Sequence, residues 1–92
     1  MTIDELYNII KDRQKNMPKD SYTASLFKLG KDTIIQKVGE EAIEVVIAAK
    51  NNNKKNTISE IADLYYHLLV LMVSLNIVPE KIQKELENRN IK

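Results

Sequence analysis

The 92-residue sequence contains no cysteine and no tryptophan, and only two glycines, two prolines and one phenylalanine. Without cysteine, a disulfide framework and a thiolate zinc site are both excluded. The absence suits a reducing compartment. Charge of either sign is also missing as a bulk feature: 14 basic against 13 acidic side chains leave a formal +1. Such balance builds no field broad enough to make nucleic acid or an anionic membrane the main partner. Long hydrophobic runs are lacking too. The longest, Leu68 to Val73, is far short of a membrane span. The opening MTIDELYNIIKD carries acids where a signal peptide has a basic and then an apolar stretch. A soluble, cytoplasmic protein is expected.

What is present is a chain 43% hydrophobic and 29% charged, the balance of a globular protein. Its length suits one domain over residues 1–92 and is too short for two independent cores. Thr2 with Glu5 forms a capping-box pattern, and Ile3, Leu6, Ile9 and Ile10 recur at helical spacing, so a first helix is predicted from about residue 3 to 16. Pro18 follows it. The segment SYTASLFKLG from Ser21 reads as a capped turn or short helix, begun by Ser21 or Thr23 and ended by Gly30. So many hydroxyls near a helix start would also suit phosphate.

A second helix is predicted from about Asp32 to Lys50, and Asn51 to Asn56 reads as a polar loop. The third begins at Thr57, where TISE repeats the capping box with Glu60. After a turn at Asn76–Val78, Pro79 opens a last helix to about Asn90. No strand pattern and no internal repeat accompany them. The expected fold is all-α: four main helices plus a short helical turn.

The charged residues of the second helix share an arc. At about 100° per residue, Lys37, Glu40, Glu41 and Glu44 fall within roughly 100° of one another. Nearly all the remaining surface is Ile, Val and Ala, the reverse of an ordinary surface helix. The third helix repeats the arrangement, with Ser59, Glu60, Asp63, His67 and Ser74 on one arc of an otherwise apolar cylinder. Two such helices have more apolar surface than short partners cover, and a homodimer is expected to bury the excess.

An isolated E-x-x-E is usually a solvated face, and a capping box alone would explain Glu60. Two acid strips on two otherwise apolar helices argue differently. Carboxylates gathered in a partly buried space repel and take up protons unless a cation compensates. Oxygen ligands without cysteine, and with a single histidine, point to Mg2+, with Mn2+ as the alternative. Attack of water on a phosphoanhydride is the natural chemistry of such a site. His67, one turn past Asp63, is either a donor to a metal ligand or a core histidine bonded to a neighbour, and the second is the commoner case. Tyr65 and Tyr66 read first as core or interface residues.

The spacing Glu41-x-x-Glu44, fifteen residues, Glu60-x-x-Asp63 resembles that of the MazG-like all-α NTP pyrophosphohydrolases. Within them, SYTASLF, KVGEEAIEVVIAAK, EIADLYYHLLVL, Arg13 and Glu85-Leu86-x-x-Arg89 resemble the phosphoribosyl-ATP pyrophosphohydrolases of histidine biosynthesis over almost the whole chain. Phe27 and Tyr65 depart from the smaller aliphatics expected there. The resemblance implies hydrolysis of 1-(5-phosphoribosyl)-ATP to 1-(5-phosphoribosyl)-AMP and pyrophosphate. It implies Mg2+ held by Glu41, Glu44, Glu60 and Asp63. Catalysis would fall to Glu40, Glu41 and Lys37, with Glu40 orienting or deprotonating water. Substrate contacts would come from Arg13, Ser21, Tyr22, Thr23, Ser25 and Lys28. A cyclohydrolase domain, sometimes fused to such enzymes, is not expected within these residues, and phosphoribosyl-AMP cyclohydrolase would be a functional partner. The alternatives are a housecleaning hydrolase of nucleoside triphosphates and, outside enzymes, a helical dimerisation module.

Overall fold

The computed structural model describes residues 1–89 and Ile91, and among them it contains five helices and no strand. Each boundary has a local cause. The first helix, α1 (Ile3–Asn16), begins at the predicted capping box: Glu5 N–H donates to Thr2 Oγ1 (3.1 Å) and Thr2 N–H to Glu5 Oε1 (3.3 Å). It stops where Met17 turns left-handed (φ 47°) and donates its N–H to the Arg13 carbonyl.

The hydroxyl-rich segment is a full helix, α2 (Tyr22–Leu29), capped by Ser21, whose Oγ accepts from Ala24 N–H at 3.1 Å. Gly30 ends it at φ 104°, a backbone region L side chains rarely enter, and starts α3 (Lys31–Lys50) without any spacer. The helix α4 (Lys54–Ser74) begins three residues before the Thr57 position read from the sequence. Asn53 caps it instead, accepting from Asn56 N–H (3.1 Å), while the Thr57 hydroxyl donates to the Asn53 carbonyl (2.8 Å). The predicted box of Thr57 and Glu60 therefore does not form, and the loop shrinks to Asn51–Asn53. Pro79 opens α5 (Pro79–Asn88) as expected; the predicted end at Asn90 lies outside the described residues.

The core is asymmetric. Tyr7 and Ile10 of α1, Leu26 of α2, Ile34 of α3, and Leu69, Val70 and Val73 of α4 form one buried cluster. The α3–α4 hairpin is the most extensive packing in the chain. Even so, α3 buries only Ile34 and Ala48. Ile35, Ile43, Val46 and Ile47 of α3 and Ile58, Ile61, Tyr65 and Leu68 of α4 stay exposed. The apolar surface that the sequence assigns to α3 is thus open in a single chain.

Global dimensions agree. The surface of 6949 Å2 exceeds the roughly 5,500 Å2 of a compact monomer of this mass. The radius of gyration, 14.4 Å, exceeds the roughly 12.3 Å of a compact chain of this length.

Candidate metal centre

The three-residue link decides where the acids meet. Glu41 lies nine residues before the end of α3 at Lys50, and Asp63 lies nine residues after the start of α4 at Lys54. At 1.5 Å per residue, both stand about 13.5 Å from the link. With α3 and α4 folded back on each other, they come level. Glu41, Glu60 and Asp63 each bring a carboxylate oxygen within 4.8 Å of the other two. Glu41 and Glu60 are half-buried, and Asp63 is exposed. Freed from the capping role, Glu60 points into this trio. Glu44, one turn along from Glu41, stands outside it and is exposed.

Repulsion is visible at Glu60. Partial desolvation and the neighbouring Asp63, Glu44 and Glu41 raise its pKa above the ordinary glutamate value. Glu44 is thus close enough to be felt. A divalent cation would reverse this strain, and the donor set is all hard oxygen. Oxygens on opposite sides of Mg2+ stand about 4.2 Å apart, so small side-chain rotations would close the trio on such an ion. The residues fit the metal that the sequence implied.

Lys37 and Glu40 stand beside the trio. The Lys37 ammonium lies 3.4 Å from Glu40 and 3.6 Å from Glu41. Partial burial pulls the Lys37 pKa down, but Tyr22 and both glutamates outweigh this and hold it above the usual lysine value. Glu40 is exposed and accepts from Gln36 Nε2 at 2.9 Å. That bond, with the Lys37 contact, lowers its pKa. A carboxylate so stabilised stays charged and is a weak base, better suited to orienting water than to deprotonating it.

The expected substrate contacts divide between two faces of α2. Tyr22 and Thr23 point to α4, where Tyr22 Oη lies 3.3 Å from His67 Nε2 and the Thr23 hydroxyl is bonded to that of Tyr66. Ser21, Ser25 and Lys28 instead line an open groove of about 440 Å3 against the 17–19 turn, together with Lys19. Arg13 turns to Asp12 at 2.8 Å, and among the described residues no ion pair or hydrogen bond joins it to the trio. His67 is buried and bonded at both nitrogens, to Tyr22 and to the Asp63 carbonyl, so it is the core histidine of the two readings. Its pairing with Tyr22 had no signal in the spacing, because the partners lie on separate helices.

Fold and site together define an all-helical protein with an acidic, cation-ready cluster on one hairpin. The family model described as "Phosphoribosyl-ATP pyrophosphohydrolase" matches residues 3–90. Proteins named phosphoribosyl-ATP pyrophosphatase are similar throughout. One from Clostridium novyi (strain NT) is 50% identical over 98% of this chain and 82% of its own. One from Saccharolobus solfataricus is 51% identical over 95% and 93%, and one from Leptospira biflexa 52% over 94% of each. The chain belongs to the phosphoribosyl-ATP pyrophosphohydrolase family and is a hydrolase of that family.

Proposed function

We propose that this protein hydrolyses 1-(5-phosphoribosyl)-ATP to 1-(5-phosphoribosyl)-AMP and pyrophosphate, with Mg2+ as cofactor, in histidine biosynthesis in the cytoplasm. The observation that carries the proposal is the convergence of Glu41, Glu60 and Asp63 from two helices, with Lys37 beside them. These three carboxylates would hold the ion, and Glu44 would complete the set. When bound, Mg2+ neutralises triphosphate charge and acidifies water; Mn2+ would serve similarly. Glu40 would orient the attacking water. Lys37 would meet the charge that develops on the departing pyrophosphate. The groove with Lys19, Ser21 and Lys28 offers two ammonium groups and the Ser21 hydroxyl to a phosphate.

A second copy of the chain would cover the exposed apolar side of α3 and α4. The excess surface and the row Ile35, Ile43, Val46 and Ile47 favour this over a monomer. The product would pass to a phosphoribosyl-AMP cyclohydrolase.

The test is pyrophosphate release from phosphoribosyl-ATP and from a panel of nucleoside triphosphates, with and without Mg2+. A kcat/KM favouring phosphoribosyl-ATP and lost on chelation is expected. A preference for another triphosphate would establish the housecleaning reading. No turnover, with no heat of Mg2+ binding, would leave the dimerisation module. Glu44→Gln should abolish pyrophosphate release while helical content survives; near-wild-type turnover would remove Glu44 from the site.

A further inference from the structure

The hydroxyls of the α2 segment are not equivalent once their partners are counted. Ser25 Oγ donates its proton to the Tyr22 carbonyl at 2.5 Å, and the Thr23 hydroxyl is tied to Tyr66. Ser21 accepts from a backbone N–H and keeps its own proton. Tyr22 depends on His67. The imidazole Nδ1 lies 2.8 Å from the Asp63 carbonyl oxygen, which can only accept, so Nδ1 carries the proton. In the neutral ring, Nε2 then holds a lone pair, and the partner it faces is the Tyr22 hydroxyl. Tyr22 must therefore donate, and its oxygen is left with lone pairs only.

The ring has little freedom to choose otherwise. His67 is 6% exposed and packs edge-on against Tyr66 with ring centroids 4.9 Å apart. Tyr22 is 55% exposed, so a ligand can reach its side chain. A phosphate oxygen would find no proton there, whereas a hydroxyl would find an acceptor.

We propose that His67 is a positioning residue that fixes the Tyr22 hydroxyl as a hydrogen-bond acceptor, and that Tyr22 thereby binds a sugar hydroxyl of the substrate and not a phosphate. The proposal deepens the hydrolase reading and rests on it for the substrate. It also links the two elements of the site, since the same ring bonds the Asp63 backbone on α4 and the Tyr22 side chain on α2.

The experiment compares Tyr22→Phe, His67→Asn, His67→Gln and the Tyr22→Phe/His67→Asn double variant on phosphoribosyl-ATP. One neutral hydrogen bond corresponds to about a three- to tenfold rise in KM, with kcat little moved. Tyr22→Phe and His67→Asn should each show it, and the double variant should be no worse than either. Asn reaches the Nδ1 position and Gln the Nε2 position, so Gln should recover most of what Asn loses. Additive losses, or a Gln variant as impaired as Asn, would overturn the proposal and leave a packing role. A 15N spectrum of the wild-type imidazole decides the same point without turnover. Nε2 should be unprotonated, Nδ1 protonated, and the Nε2 resonance should move in Tyr22→Phe; a protonated Nε2 would overturn the proposal. Absence of wild-type turnover would fail the hydrolase reading alone.

Discussion

The ammonium of Lys37 stands 3.6 Å from Glu41, the one member of the carboxylate trio that α3 supplies. A fixed cation would thus compete with a bound metal ion for the same oxygen. Replacing Lys37 with Met should tighten Mg2+ binding about two- to fivefold, the scale of a partly exposed ion pair. On the proposed mechanism the same change should also lower kcat, because the charge that would meet the leaving pyrophosphate is gone. Calorimetry with Mg2+ and steady-state kinetics on one preparation would show whether the two move in opposite directions.

Glu60 gives a pH-dependent expectation. Its folded-state pKa lies above the ordinary value, so its charged form destabilises the metal-free fold at neutral pH. That penalty disappears as pH falls through the raised folded pKa towards the unfolded one. In chelator, Glu60→Gln should therefore melt higher than the parent at neutral pH, and the gap should close in acid. Added Mg2+ should raise the melting temperature of the parent and not of the variant. Thermal scans with and without Mg2+ measure all three.

Asn53, not Thr57, starts α4. Asn53→Ala should destabilise the protein by about 1 kcal/mol. Thr57→Ala removes only a side-chain bond to the N-cap carbonyl, which also accepts from the Thr57 N–H, and should cost less. Denaturant unfolding of the two variants would rank them.

The exposed isoleucines of the hairpin bear on assembly. Sedimentation of the parent should give twice the chain mass, and Ile43→Lys, with Tyr65→Lys as a second variant, should shift it towards the single chain. Burying an unpaired ammonium in an apolar interface costs more than the contact it replaces. A parent that sediments as a monomer at every concentration would refute the dimer.

Much of this architecture was legible where a local interaction decided the outcome. The Thr2–Glu5 box, the Ser21 cap, Gly30 at positive φ and Pro79 all act within a few residues. The start of α4 was misread because two caps compete there. TISE is a good box, but Asn53 offers an earlier one, and the three added residues can lie helically beside the end of α3. The side-chain pairings between α2 and α4 were not legible. Nothing in the order Tyr22, Thr23 and Tyr66, His67 says that each would meet its counterpart, since that depends on how α2 crosses α4. Likewise the resemblance implied four ligands alike, whereas the packing brings three of them together and leaves Glu44 a turn away.

The three-asparagine link between α3 and α4 has a consequence for how this gene can change. Surface loops ordinarily accept inserted residues, because their length costs little. Here the acids sit at matched distances on either side, and a residue added between Lys54 and Glu60 would swing Glu60 and Asp63 by about 100° and shift them by about 1.5 Å. Substitutions on the outer face of that turn leave the carboxylates where they are. Insertions into the start of α4 do not. Apart from the Asn53 cap and Glu60, the segment should therefore drift in composition while holding its length, as strictly as if its residues were ligands themselves.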